Sequence, residues 1–253
     1  MSESIFQKEN DQLLYTILNE RFFKPWSNSN SKLWQTAGME LYITNKCNQH
    51  CEYCYLYNNE KIYPSLGNNS TNIIHNLKIF LNWLLENNYS IPNIDLFSGE
   101  IWHTQLGRDC LQTILEYTLK GLKINKINIP TNGTFILNDE TLQPILNYRN
   151  WFADVNTILT FSLSIDGAII DNINRPHNDN TTISEEQYDK IFSFSKETGC
   201  GFHPMVAACS IEYWKENFIW WKEQIKKYDF STNVHSRVMM LEVRNNDWTK
   251  PKI

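Results

Sequence analysis

The chain has 253 residues, 42% of them hydrophobic and 20% charged, and carries a net charge of −5. That length sustains a sizeable core without disulfide staples, and the acidic balance offers no overall basic field for nucleic acid. Residues 1–10 lack the apolar stretch of an export signal, and no run approaches the roughly 18 apolar residues of a membrane span. The expectation is a cytoplasmic protein with neither membrane nor nucleic acid as partner.

Residues 1–38 read as an N-terminal extension, in which Leu13, Leu14, Ile17 and Leu18 share a helical face. Residues 39–253 read as one core domain of alternating strands and helices. The expected strands are Met39–Thr44, Ile94–Phe97, Ile124–Ile129, Ile158–Ile165, Phe202–Ala208 and Val238–Val243. Between them run helical stripes. Ile73, Leu77, Phe80, Leu81, Leu84 and Leu85 form the first; Leu106, Cys110, Leu111, Ile114 and Leu115 belong to the second, closed by Gly121. A helix over Asn138–Asn147 follows, which Pro144 limits or kinks. Ser184-Glu-Glu-Gln187 has the form of a capping box, opening a helix that Gly199 closes. Trp214, Phe218, Trp221, Ile225 and Tyr228 step by four and three, marking one more amphipathic helix. Strands alternating with helices imply parallel, right-handed βαβ units. The fold class is therefore α/β, a partial (βα)6 TIM-like barrel, with chemistry expected at the C-terminal strand ends.

Three of the six cysteines fall between positions 47 and 54, in Cys47-Asn-Gln-His-Cys51-Glu-Tyr-Cys54. Thiolates this close can ligate three irons of a cubane and leave the fourth iron open. The alternative is a zinc-stabilised binding module completed by His50 or a distant histidine, although no second short ligand cluster accompanies the first. Cys110 reads as a core thiol; Cys200 and Cys209, which flank the fifth strand, read as core thiols or as facing the barrel mouth, with the core favoured.

From Met39 onward the chain resembles the radical S-adenosylmethionine (SAM) superfamily, in which a C-x3-C-x2-C loop follows the first barrel strand. The resemblance implies a [4Fe–4S] cluster as metal cofactor, held by Cys47, Cys51 and Cys54 as the catalytic core. It also implies SAM as second cofactor, cleaved to a 5′-deoxyadenosyl radical that abstracts hydrogen, and an electron donor such as flavodoxin or ferredoxin.

Further motifs extend the likeness. Ser98-Gly99-Glu100 is similar to the family's Gly-Gly-Glu, with Ser98 in place of the first glycine, and the resemblance assigns it to the SAM ammonium. Tyr53 holds the aromatic position that packs near adenine. Thr131-Asn132-Gly133 resembles the family's Thr-Asn-Gly and supports the fold more than the chemistry. Ser162-Leu-Ser164-Ile-Asp166-Gly167, followed by Arg175, looks like the equivalent stretch of peptide- and protein-modifying members, sulfatase maturases among them. By that likeness Ser164 contacts the SAM ribose and Arg175 the SAM carboxylate, while Asp166 is structural or faces substrate. A peptide or protein is the substrate this implies, with a small metabolite or nucleotide precursor as the alternative. No cysteine follows Cys209, so the auxiliary-cluster cysteines of that branch are missing, as expected of a minimal enzyme or of part of a longer one. Leu241-Glu-Val-Arg244 reads as a solvated rim of the last strand, the alternative being charges that meet SAM or substrate at the barrel mouth.

Overall fold

The computed structural model describes residues 11–18, 34–35, 38–54, 56, 70–230 and 242–243. Its centre is a five-stranded, all-parallel sheet of β2 (Met39–Tyr42), β4 (Ile94–Phe97), β6 (Lys126–Thr131), β7 (Ile158–Leu163) and β8 (Gly201–Phe202), in that order. Each strand of this sheet lies beside the next of its strands in sequence, the winding that closes toward a barrel. The register runs Leu41↔Leu96, Ile94↔Ile127, Asn128↔Thr160 and Leu163↔Phe202. Three short strands, β1 (Trp34–Gln35), β3 (Tyr89–Ile91) and β5 (Lys123–Ile124), pair in parallel before the main strands begin. β9 (Met205–Val206) pairs with β10 (Glu242–Val243) beyond them.

Alternation decides which face does what. On β4, β6 and β7 the residues Ile94, Leu96, Ile127, Ile129, Leu159, Phe161 and Leu163 are buried in the apolar core with the helices. Each such side chain contributes about 1.5–3 kcal/mol of transfer free energy. The intervening positions, Phe97 on β4 and Pro130 on β6, face a cavity instead. The covering helices are α1 (Ser70–Glu86), α2 (Gln105–Leu119), α3 (Asp139–Asp154), the one-turn α4 (Asp171–Asn174), α5 (Glu185–Thr198) and α6 (Trp214–Lys227).

One helix ends at both sides as its sequence dictates. Ser184 and Gln187 form a reciprocal capping box at the start of α5, and Gly199, at φ 74°, terminates it in the left-handed region. α3 departs from expectation, for it runs through Pro144 and on to Asp154. A proline in the second turn removes a single backbone bond, and burial of Ile145 and Phe152 holds the remainder in place. The fifth expected strand is split, because His203 and Pro204 separate β8 from β9. Of the sixth, only Glu242 and Val243 lie within the described residues; Leu241 and Arg244 do not. Ahead of β2, residues 11–18 are helical, with Leu18 buried in the core and Asp11 paired with His75 on α1 at 2.9 Å. Among the described residues no helix is long and apolar enough to cross a membrane.

Candidate functional site

The C-terminal ends of β2, β4, β6, β7 and β8 surround a cavity of about 620 Å³. Cys47, Cys51, Cys54, Tyr53, Ser98, Gly99, Ser164 and Arg175 all line it, so side chains from three separate motifs converge on one space. Cys47, Cys51 and Cys54 are each half-buried there, as free thiols. Glu100 is absent from the wall. It lies behind it, 1% exposed, and accepts hydrogen bonds from the Asn132 amide at 2.7 Å, the Thr131 hydroxyl at 2.9 Å and the Trp102 amide at 3.4 Å. Its carboxylate thus fastens the end of β4 to the Thr131-Asn132-Gly133 turn after β6.

The cysteine loop is held from two sides. On one, Gly99 donates to Thr44 O at 2.7 Å and Glu100 to Lys46 O at 2.9 Å. On the other, the loop pairs with residues 174–178: His50 N donates to Pro176 O, Glu52 N to Asn174 O and Asn178 N to Asn48 O, all at 2.9–3.0 Å. Asn178 adds a side-chain bond to Cys47 O at 3.0 Å. Asn132 donates to Asn48 Oδ1 at 2.7 Å and approaches Cys47 Sγ at 3.9 Å. The Thr-Asn-Gly turn therefore touches the cysteine loop.

The sulfurs sit among N–H donors. Cys47 Sγ accepts from the Gln49 amide at 3.4 Å, and the Arg175 guanidinium stands 4.0 Å from Cys51 Sγ. Burial pushes the Cys47 thiol up to about 12, with the Glu100 charge adding to it. Burial pushes Cys51 up to about 11 against the opposing pull of Arg175. Such thiols do not ionise at neutral pH unless a metal takes the place of the proton.

An iron–sulfur cluster fits this donor set: three thiols on one wall, N–H groups aimed at two of them, and a cation nearby to offset thiolate charge. Among the described residues no three His, Cys, Asp or Glu side chains are grouped to hold one metal ion. A cubane asks for less crowding, since each cysteine takes a different iron.

Asp166, after the end of β7, is the residue whose role the sequence defines least. It is wholly buried, and every polar atom it owns is engaged. Tyr53 Oη donates to Oδ2 at 2.6 Å, Asn174 Nδ2 donates to Oδ2 at 2.9 Å, and the Met205 amide donates to Oδ1 at 2.8 Å. Arg175 Nε faces Oδ2 at 3.1 Å as an ion pair. The Asp166 carbonyl accepts from Asn217 and Trp221 of α6 at 2.8 and 2.9 Å, and its amide donates to Asp171 Oδ1 at 2.8 Å. The Arg175 guanidinium also stands over the Tyr53 ring, 5.2 Å from its centroid. Asp171, buried beside Asp166, has its carboxyl pushed up to about 7 by burial and then by the neighbouring Asp166 charge. Asn217 carries no local signal, and Trp221 only that of a helical stripe, because both reach Asp166 across a fold contact. Cys110 and Cys200 are buried as expected. Cys209 is exposed, a correction: it lies in the 3-10 turn after β9, outside the sheet core, with its sulfur 3.5 Å from Asn174 Oδ1.

No family model matches the chain, and no curated protein matches it. Solved structures do. A hexahistidine-tagged form of anSMEcpe, an anaerobic sulfatase-maturating enzyme of the radical SAM class, with bound S-adenosylmethionine is similar at TM-score 0.55 and 17% identity, over 83% of this chain and 52% of that one. Native anSMEcpe with bound S-adenosylmethionine and Cp18Cys peptide is similar at TM-score 0.50 and 17% identity, over 77% and 49%. The chain spans about half the length of the solved structures it matches. The likeness establishes the fold, a partial parallel α/β barrel like that of those structures.

Proposed function

We propose that the chain is a radical SAM enzyme, with Cys47, Cys51 and Cys54 holding a [4Fe–4S] cluster and the same cavity receiving SAM. The observation that carries the reading is the convergence of the cysteine loop with the strand-end motifs of β4 and β7 on one cavity wall. When bound, the cluster would supply the one electron that splits SAM into methionine and a 5′-deoxyadenosyl radical able to take hydrogen from substrate.

The chain's own residues have distinct parts in this. Ser98 and Gly99 offer the end of β4 to the SAM ammonium, with Glu100 behind them as support. Arg175 turns a planar fork toward the cavity, suited to a carboxylate held bidentately. Ser164 lines the wall with a hydroxyl for the ribose, and Tyr53 supplies an aromatic face near adenine. A peptide or protein substrate is the reading favoured here; the peptide bound in one of the similar structures supports it. Electrons would come from a small donor of the flavodoxin or ferredoxin kind.

The test is anaerobic purification, reconstitution with iron and sulfide, reduction with dithionite, addition of SAM, and assay of 5′-deoxyadenosine by mass spectrometry. Product that disappears in Cys47→Ala, Cys51→Ala and Cys54→Ala is the expected result. A colourless protein that takes zinc and no iron would overturn the reading.

A further inference from the structure

We propose that Asp166 is a positioning residue of this site, resting on the radical SAM reading. Its carboxylate pins Tyr53 and Arg175 to the cavity wall and offsets the guanidinium charge beside Cys51. The argument begins with how Asp166 itself is fixed. Gly167 has φ 118°, and a Cβ there would meet Asn217 Oδ1 at 2.3 Å and Trp221 Nε1 at 2.8 Å, so the Asp-Gly turn is locked against α6. With the backbone locked by Asn217, Trp221 and Asp171, the carboxylate has little freedom and serves as an anchor for what approaches it.

What approaches it comes from two motifs far apart in the chain. Tyr53 belongs to the cysteine loop and Arg175 to the segment after β7, and both meet the same oxygen, Oδ2. A guanidinium has donors on two edges. Asp166 faces Nε at 3.1 Å as an ion pair, with no hydrogen bond made at Nε among the described residues, which leaves the Nη groups for Cys51 Sγ at 4.0 Å and for an anionic group in the cavity. The same contact sets the local charge. Arg175 is only 7% exposed, and without the Asp166 carboxylate its positive charge would act on the Cys51 sulfur with less to offset it. Position and charge are separable properties, and each has its own readout.

Asp166→Asn keeps nearly the same shape and removes the charge. In the reconstituted protein, an EPR-monitored redox titration is expected to show a midpoint potential more positive than wild type. The KM for SAM is expected to rise about tenfold, with a smaller fall in kcat, as one charge-assisted contact loses its orientation. Asp166→Glu restores the charge but not the reach, so its potential should return toward wild type while its KM stays raised. A merely structural aspartate would move neither quantity in a folded variant; wild-type potential and wild-type KM in Asp166→Asn would overturn the proposal. Should Asp166→Asn take up no cluster, Tyr53→Phe decides, since it deletes one hydroxyl bond to Oδ2. A raised KM for SAM at full iron content supports the proposal, and an unchanged KM overturns it. Failure of the parent reading looks different: a wild-type protein with no cluster and no 5′-deoxyadenosine defeats both, whereas variants that match an active wild type defeat only the role of Asp166.

Discussion

A methyl group at Gly99 would stand 2.4 Å from the Lys46 carbonyl oxygen and 2.7 Å from that of Asn45. Both neighbours are backbone at the root of the cysteine loop, so neither can swing aside. The glycine is therefore required by the approach of two chain segments, whatever binds in the cavity. Gly99→Ala is expected to cost about 1–3 kcal/mol as an overpacked contact and to lower iron uptake on reconstitution; urea denaturation and iron assay would show both, and an unperturbed variant would contradict the geometry. Glu100, one residue on, is governed by burial. Its carboxyl is pushed up to about 7 from 4.5 by desolvation, in spite of the Asn132, Thr131 and Trp102 bonds that favour the charged form. The folded chain thus holds this proton more tightly than the unfolded chain. The stabilising contribution is full below about pH 4.5 and is lost as pH climbs through about 7, a change of about 3 kcal/mol at most. Asp171 adds the same sign, its window opening slightly lower, near 3.8, and closing at about 7. Metal-free protein should therefore lose stability between about pH 4 and 7, and Glu100→Gln should flatten part of that slope in urea melts taken across the range. Equal slopes in the two proteins would mean that Glu100 does not titrate there.

At the scale of elements, the cysteine loop owes its shape to the segment after β7. Antiparallel backbone bonds from residues 48–52 to 174–178, with the Asn178 side chain on Cys47 O, hold the three cysteines as a preset arrangement. Asn178→Ala removes one of those ties at the edge of the cavity, so the fold should be spared. The expectation is loss of the cluster to an iron chelator several-fold faster than in wild type, followed by the bleaching of its visible absorbance; an identical rate would assign the loop's order to its backbone pairing alone. The elements themselves were largely legible. Short apolar segments marked β4 and β7, and the Ser184 and Gly199 signals marked both ends of α5, because each is set by contacts within a few residues, whereas the strand expected at Ile124–Ile129 is split into β5 and a β6 that runs on to Thr131. The continuation of α3 through Pro144 was not, since it depends on burial of Phe152 by distant partners.

Over the whole molecule, what the sequence disclosed about the site followed the same rule of distance. The cysteines announce themselves by close spacing within one loop, and the strand-end motifs by their place after apolar runs. The tie from Tyr53 to Asp166 spans 113 residues, and that from Asp166 to Trp221 spans 55, so only the closed fold brings them together. The same separation of parts predicts how the protein behaves without metal. Its apolar core lies between the sheet and the helices, built from residues such as Leu81, Ile94, Ile114, Phe161 and Phe192, while the three cysteines sit at the cavity-facing rim. A small zinc module would unfold on losing its metal, because the metal supplies most of its folding free energy. Here none of the three cysteines belongs to the buried apolar core. The triple variant Cys47→Ala, Cys51→Ala, Cys54→Ala should bind no iron yet keep its far-UV circular dichroism and unfold cooperatively, with a Tm within a few degrees of the metal-free wild type. Loss of the cooperative transition would mean that the cysteine loop stabilises the barrel, and the division between a self-sufficient core and a rim devoted to chemistry would fall with it.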